Sequence, residues 1–410
     1  MGTTKQWGFP GALGLLIAVA CLVMGTGPHP VGPPETWEGR PPHHAYRVAP
    51  EGKQIAGSTS YYAPQQVRHA YGFDQLSNDG TGQIIGIVDA YDAPSVASDL
   101  QTFITNFGLQ GMHGLPGTGT CTVTGGPHPC FQKVYAQGVK PKTDGGWALE
   151  ISLDVQWAHA MAPGADILLV EASTASFSYL MSAVDVAVST GATVVSMSRG
   201  GSEFASESSY DFHFAKAGVT FTAASGDSGT GLLYPAVSPY VLAVGGTTLP
   251  LDLSGTLTAP ETAWSGSGGG ISAYEAEPGY QASLAIPSTG GKRGSPDVSY
   301  SADPSHGFLV YDSTPYHGGT GWWAVGGTSA GAPQWAALTA LANQTRATSL
   351  SSSNLAPEYN AAPFGAYYRD ITAGSNGNCA ICTATPGYDF VTGLGSPKAD
   401  TLVPYLITSP

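Results

Sequence analysis

Charged residues are scarce in this chain of 410 residues, at 11% against about 25% in ordinary soluble proteins. Lysine and arginine together number 15 and acidic residues 29, so the formal net charge is −14. No long basic run is present, so nucleic acid is not an expected partner. A surface with few amines avoids strong positive self-repulsion in acid, which favours an acidic workplace.

Cysteine is also scarce, and its positions bear on localisation. An apolar run at residues 11–25 follows Lys5 and is short for a spanning helix, which indicates a signal peptide over residues 1–27. An uncleaved N-terminal anchor is the alternative. Cleavage would leave four cysteines in a secreted protein, without stable membrane association. The even count predicts two local disulfides, Cys121–Cys130 and Cys379–Cys382, rather than a zinc or redox site.

The body of the chain alternates strand-like and helical patterns. Residues 28–57 are rich in proline, histidine and glycine without apolar periodicity, which predicts a linker before a domain at 58–410. Strands are expected at 83–90, 165–172, 192–198, 218–224 and 240–246, with helices near 95–107, 145–165, 176–189 and 203–217. Apolar strands separated by helices predict an α/β fold, a parallel sheet with helices on both faces.

Two serines invite a catalytic interpretation. Residues 226–229 read GDSG, as around the nucleophile of trypsin-like proteases, but the alternating pattern and the absence of a TAAHC or HGTHVAG histidine motif argue against that class. Ser228 is therefore predicted to be a turn residue. Ser329, in GGTSAGAPQW, directly precedes a helix whose free N–H groups could stabilise an oxyanion. A simple helix-capping serine fits this position equally well.

A base for Ser329 is available in the helical stretch 145–165. Glu150 and Asp154 are four residues apart, hence on one helix face, among apolar neighbours. Mutual repulsion and burial would raise the pKa of at least one, giving a base that works in acid. Asp154 can orient Glu150, and Glu150 can take the Ser329 proton. The alternative is a solvated acidic stripe.

These motifs resemble, in the same order, those of the sedolisins, the serine-carboxyl peptidases with a subtilisin-like fold. The matching stretches are ALEISLDVQWAHAMAPGA, AASGDSG and GTSAGAP, and the resemblance runs from about Tyr61 to the C-terminus. It implies a single catalytic domain that hydrolyses proteins or peptides in acid. Ser329 would be the nucleophile, Glu150 the base and Asp154 its partner. Asp227 would carry a proton and donate a hydrogen bond to the oxyanion.

Further matches extend the resemblance and qualify it. Asp89 stands where the family often has an acidic residue touching the Glu/Asp pair; an ordinary strand-end aspartate is the alternative. The stretch SMSRGGS at 196–202 resembles the edge that pairs with substrate backbone, with Arg199 where the family usually has tryptophan. Family members commonly carry a large N-terminal prodomain, and none is recognised in 28–57.

The C-terminal stretch 369–397 resembles the family's calcium loop. The resemblance implies one structural Ca²⁺ held by the Asp370 and Asp389 carboxylates and by the carbonyls of Ile371, Thr385 and Gly387. A plain glycine-rich loop is the alternative. We therefore expect a secreted, acid-acting serine-carboxyl endopeptidase. A tripeptidyl exopeptidase of the same family and a catalytically silent binding module are the alternatives, and the oligomeric state stays open.

Overall fold

The computed structural model of the chain describes residues 1–2, 32–34, 36–41, 43–286, 288–361 and 364–410. Apart from its first two residues, the predicted signal peptide lies outside the described residues. Residues 32–410 form one unit. Within the described ranges, every helix is too short or too polar to cross a membrane.

The strands, numbered along the chain, are β1 (His44–Ala49), β2 (Tyr61–Tyr62), β3 (Ile84–Ala90), β4 (Phe131–Tyr135), β5 (Asp166–Ala172), β6 (Val194–Met197), β7 (Gly201–Ser202), β8 (Thr220–Ala224), β9 (Leu233–Tyr234), β10 (Leu242–Thr248), β11 (Thr262–Ala263), β12 (Gly270–Ala276), β13 (Lys292–Ser295), β14 (Val298–Ser301), β15 (Gly307–Tyr316), β16 (Gly319–Gly326), β17 (Tyr368–Arg369) and β18 (Ser396–Pro397).

The helices are α1 (Pro64–Tyr71), α2 (Val96–Phe107), α3 (Gly145–Met161), α4 (Phe177–Ser189), α5 (Gly279–Leu284), α6 (Gly331–Asn343), α7 (Ala356–Tyr359), α8 (Phe364–Tyr367) and α9 (Ala399–Thr408). Short 3-10 helices lie at Phe73–Gln75, Glu207–His213, Pro304–His306 and Thr328–Ala330.

The central sheet has the order β4-β5-β3-β6-β8-β10, and all these neighbours are parallel. At its far edge β10 pairs with β14 in parallel and with β11 antiparallel. Side chains of the inner strands alternate between two buried apolar clusters: Ile85 and Ile87 of β3 belong to one, and Val88 to the other. The predicted α/β fold is confirmed, with one antiparallel edge strand added.

Helices cover both faces of this sheet. Helix α4 belongs to the cluster on one face, while α3 and α6 pack against each other on the other face. In α3 every residue from Trp147 to Met161 is buried, and α6 is buried along its whole length. A helix buried on every side belongs to the core, so polar side chains along it are removed from water.

The segment predicted as a linker contributes a strand. In β1, His44–Ala49 pairs antiparallel with β16, which joins β15 and β2 in a second, four-stranded sheet. Alternation within β1 is weak, with side chains ranging from exposed to half-buried. The strand is therefore stabilised by backbone pairing to β16 rather than by an apolar face, and periodicity did not reveal it.

Two further expectations concern local structure. The disulfides Cys121–Cys130 and Cys379–Cys382 are both formed, as predicted. The helix expected near 203–217 was wrong, because only the 3-10 helix Glu207–His213 forms there. Its side chains bond the local backbone, with Ser209 Oγ donating to Ser206 O and Phe204 N donating to the Glu207 carboxylate. Such local bonds favour tight turns over a regular helix.

Candidate active site

The acidic pair of α3 lies inside the protein. The helix begins after Asp144, whose carboxylate accepts a hydrogen bond from Trp147 N at 3.0 Å. One turn later Glu150, and then Asp154, are fully buried. A solvated acidic stripe is therefore wrong, and both side chains point into a region from which water is excluded.

Asp89 adds a third buried carboxylate. It lies at the end of β3 and is fully buried, and neither of its oxygens has a hydrogen-bond partner within the described part of the chain. Burial raises the pKa of Asp89 and of Asp154 well above the usual range, and the neighbouring Glu150 charge raises both further. Three carboxyls so close cannot all ionise, so the group holds protons well above the pH at which exposed carboxylates lose them.

Arg199 lies fully buried beside these carboxyls. Burial lowers the pKa of its guanidinium to about 10, while the Asp89 charge opposes that change. Its Nε and Nη2 lie 3.4 Å from the carbonyls of Val88 and Leu180. The side chain therefore points under the sheet toward α4, where it offsets negative charge on Asp89 instead of lining a substrate pocket.

Ser198 is a residue that the sequence interpretation missed. Its Oγ lies 2.8 Å from Asp154 Oδ1 and 3.1 Å from the Ser329 carbonyl. The hydroxyl thus links the buried acidic pair to the backbone of the serine turn. The signal was available, since Ser198 and Arg199 are neighbours in SMSRGGS and must point to opposite sides of an extended segment.

Ser329 lies on the 3-10 turn Thr328–Ala330 immediately before α6 and is fully buried. The preceding Gly327 has φ +129°, a conformation that side-chain-bearing residues rarely adopt, and this lets the chain turn sharply from β16 into α6. The turn packs against α3, which carries Glu150 and Asp154. The predicted nucleophile and the predicted base therefore lie on elements in direct contact.

Asp227 is held against the same turn. Its Oδ1 accepts hydrogen bonds from Thr328 N and Thr328 Oγ1, each at 2.8 Å. Its Oδ2 is buried and has no partner among the residues that the structure describes. Burial raises the pKa of Asp227 well above its usual range, and the Glu150 charge adds to this although the Thr328 donors oppose it. A protonated Oδ2 would have a free donor beside Ser329. Ser228, next in sequence, is exposed, as a turn residue is expected to be.

His43 is the second residue that the sequence interpretation missed. Its Nδ1 lies 2.5 Å from Glu150 Oε2, and its side chain is only 6% exposed. It belongs to the histidine-rich stretch before β1, where nothing in the local pattern distinguishes it from His44. The contact joins residues 107 positions apart, so it depends wholly on the path of the chain across the domain.

That path follows the substrate edge predicted at 196–202. We call residues 36–44 the N-terminal strap. Arg40 N donates to Gly200 O at 3.0 Å, Gly200 N donates back to Arg40 O at 3.2 Å, and Gly39 N donates to Ala175 O at 2.8 Å. Beside the strap lies a cavity of about 620 Å³ that Glu203 and Asp227 also line. The strap is thus bound as an added antiparallel strand.

The residues expected to bind calcium also come together. Gly387 N lies 3.1 Å from both oxygens of Asp370, and Thr385 N lies 3.3 Å from Asp389 Oδ2. The carbonyls of Ile371, Thr385 and Gly387 accept no hydrogen bond from any described residue. Two carboxylates and three free carbonyls suit a hard cation that prefers oxygen. In the described ranges no group of three or more His, Cys, Asp or Glu is placed to hold a metal, so carbonyls would have to share the coordination.

Comparison with known proteins supports this arrangement. The sequence pattern of the subtilase family matches residues 106–359. Kumamolisin from Bacillus sp. (strain MN-32) is 33% identical over 414 aligned positions, which cover 90% of this chain and 68% of kumamolisin. Xanthomonalisin from Xanthomonas sp. (strain T-22) is 28% identical, over 86% of this chain and 48% of its own.

A solved structure resembles the fold as a whole. Pseudomonas sedolisin, a serine-carboxyl proteinase complexed with two molecules of pseudo-iodotyrostatin, superposes with a TM-score of 0.68 and 25% identity, over 85% of this chain and 98% of that one. The agreement covers the central sheet and the helices that carry the buried acids and the serine. The chain therefore belongs to the sedolisin family and is a serine peptidase.

Proposed function

We propose that this protein is a secreted endopeptidase that works in acid, with Ser329 as nucleophile and Glu150 as base. Ser329 Oγ attacks the peptide carbonyl and its proton passes to Glu150, which returns it to the leaving amine. Water then hydrolyses the acyl-enzyme by the same route. Asp154 orients Glu150, and Asp89 touches the pair and shares its protons.

The observation that carries the proposal is the position of Asp227. Thr328 fixes Oδ1 with two donors, so the buried Oδ2 is directed at the space beside Ser329. A carboxyl with a raised pKa keeps its proton in acid and can donate it to a developing oxyanion. At higher pH Asp227 ionises and repels the same charge, so activity should fall.

Other buried carboxyls support an acidic workplace. Burial raises the pKa of Glu207 to about 9, of Glu275 to about 8 and of Asp312 to about 7. Because each folded-state pKa is raised, the stability that each contributes is complete below the ordinary value near 4.5 or 3.8 and is lost as pH rises through the folded value. The fold is therefore most stable in acid. Two disulfides support export to an oxidising compartment.

The N-terminal strap favours endopeptidase over tripeptidyl-peptidase activity. A tripeptidyl exopeptidase needs a groove that closes three residues before the scissile bond. Here the strap enters at Trp37, pairs at Arg40 and reaches Glu150 at His43, so bound chain extends at least six residues before the residue that contacts the base. An open groove of this kind accepts the interior of a polypeptide.

We also propose that one Ca²⁺ binds at Asp370, Ile371, Thr385, Gly387 and Asp389. When bound, the ion would neutralise two carboxylates in one loop. Asp370 and Asp389 orient the loop 385–389 through its backbone amides, and Asp389 Oδ1 also accepts hydrogen bonds from Val391 N and Thr392 N. These contacts tie the C-terminal loop to the domain and away from the peptide groove.

Hydrolysis of an unstructured protein between pH 2 and 8 tests the proposal, with Ser329→Ala and Ser228→Ala compared. Ser329→Ala should lose activity by roughly 10³-fold or more, while Ser228→Ala keeps the wild-type rate. Peptides with a blocked N-terminus should be cleaved internally. Release of tripeptides from free N-termini alone would favour the exopeptidase. Activity equal in Ser329→Ala and wild type would overturn the mechanism, and inactivity of every form would favour a silent binding module.

A further inference from the structure

The N-terminal strap ends in a deep aromatic anchor. Trp37 is only 6% exposed, and its Nε1 donates to Ser202 O at 3.1 Å. Its ring meets the Phe177 ring edge to face, with centroids 5.0 Å apart. A bulky side chain so buried in an otherwise polar stretch has a built receptor around it.

The receptor depends on a missing side chain. A Cβ on Gly201 would lie 2.5 Å from Trp37 Cε2, so only glycine leaves room for the indole. Phe177 and Leu180 of α4 and Phe204 after β7 supply the apolar walls. We call the space bounded by Phe177, Leu180, Gly201 and Phe204 the aromatic pocket. It is continuous with the edge at Gly200, which holds Arg40.

The other end of the strap covers the catalytic carboxylate. His43 Nδ1 lies 2.5 Å from Glu150 Oε2, three residues after the Arg40–Gly200 pair. A substrate strand aligned on the same edge would need that same space to present its carbonyl to Ser329. Strap and substrate therefore compete for one track that runs from the aromatic pocket to Glu150.

We propose that the aromatic pocket is a substrate subsite for a tryptophan-like side chain three residues before the residue that pairs with Gly200, and that Trp37 occupies it to hold the chain latent. The proposal rests on the peptidase function proposed above and adds a ligand class to its groove. It requires no prodomain, since the blocking strand is part of the unit it blocks. An aromatic anchor in a desolvated pocket typically contributes tenfold or more to affinity.

Two variants separate the anchor from the rest of the strap. Trp37→Ala empties the pocket, and Gly201→Ala closes it to the indole while leaving the strap sequence intact. Both should raise kcat/KM on a short fluorogenic peptide by about tenfold. The matched control is Tyr46→Ala, which removes a side chain 42% exposed on β1, away from the groove, and should change nothing. Melting temperatures show that each variant is folded.

Peptides added in trans then test the ligand class. The probe is the strap peptide TWEGRPPHH, with TAEGRPPHH as its partner. On Trp37→Ala the tryptophan peptide should bind at least tenfold more tightly than the alanine peptide, and on Trp37→Ala/Gly201→Ala the two should bind equally. Equal binding of both peptides to Trp37→Ala, or activity of that variant no higher than Tyr46→Ala, would overturn the proposal. Calorimetry measures binding without hydrolysis, so a failure of the proposed function is recognised separately.

Discussion

Asp227 offers the sharpest test of how this peptidase would stabilise its oxyanion. Asp227→Ala removes the donor from Oδ2 and leaves Thr328 N and Thr328 Oγ1, now bound to Oδ1 at 2.8 Å, without an acceptor. Loss of one oxyanion donor costs about 2.7–4 kcal/mol, or 10²–10³ in kcat. Leaving buried donors unsatisfied costs a further 1–3 kcal/mol or so of folding stability.

Asp227→Asn separates the donor from its proton. The amide oxygen can still accept from Thr328, and Nδ2 can still donate to the oxyanion at every pH. We expect kcat/KM at pH 4 to stay within about tenfold of wild type. The ratio of Asn variant to wild type should then rise with pH, by up to about tenfold per unit above the Asp227 pKa, because only the wild-type side chain ionises.

Stability supplies an independent check of sign. The folded protein holds the Asp227 proton more tightly than the unfolded chain, since burial raises its pKa. The stability this contributes is complete below about pH 3.9 and is lost as pH rises through the folded value. Asp227→Asn should therefore gain stability relative to wild type at pH 7 but not at pH 3. The assay is kcat/KM and urea unfolding from pH 3 to 8. A constant activity ratio across that range would refute a proton-bearing Asp227, and a loss below threefold in Asp227→Ala would refute its oxyanion role.

Three further outcomes follow from the buried charges. Arg199→Leu removes the cation near Asp89, so the acid limb of the pH–rate profile should move up by about one unit, while Arg199→Lys keeps it; an unmoved limb would contradict the counter-charge role. The unfolding free energy in urea should be lower at pH 7.5 than at pH 4, by on the order of 1 kcal/mol per pH unit for each titrating carboxyl such as Glu207; equal values would argue against acid adaptation. Chelation with EDTA should lower the melting temperature by several degrees, reversibly with Ca²⁺ and not in Asp389→Asn; no change would count against the calcium site.

Sequence patterns predicted well where the information was local. The inner strands and helices α2, α3 and α4 were expected within a few residues, because buried parallel strands and the helices between them have distinct apolar periods. The disulfides followed from an even number of cysteines, close together in pairs. The helix expected near 203–217 failed, because side chains there bond the backbone locally and periodicity carries no sign of that competition.

The groove was recognised less completely. SMSRGGS was expected to bind substrate backbone, and Gly200 does pair with an added strand, but that strand is the protein's own segment. A stretch rich in proline and histidine has no amphipathic period, so its order comes from backbone pairing and from one anchor, Trp37. Nothing local distinguishes an anchored segment of this composition from a free linker.

The amino-acid sequence by itself determined the chemistry that is available: a serine before a helix, two acids one helical turn apart, and an aspartate after a strand in GDSG. These depend on neighbours in the chain, and local periodicity reveals them. Tertiary structure alone decided the environment of those groups. It buried Glu150 and Asp154, added Asp89 and Arg199, and brought His43 onto Glu150 across 107 residues. Burial and long-range charge set protonation, and both arise only when distant segments pack together.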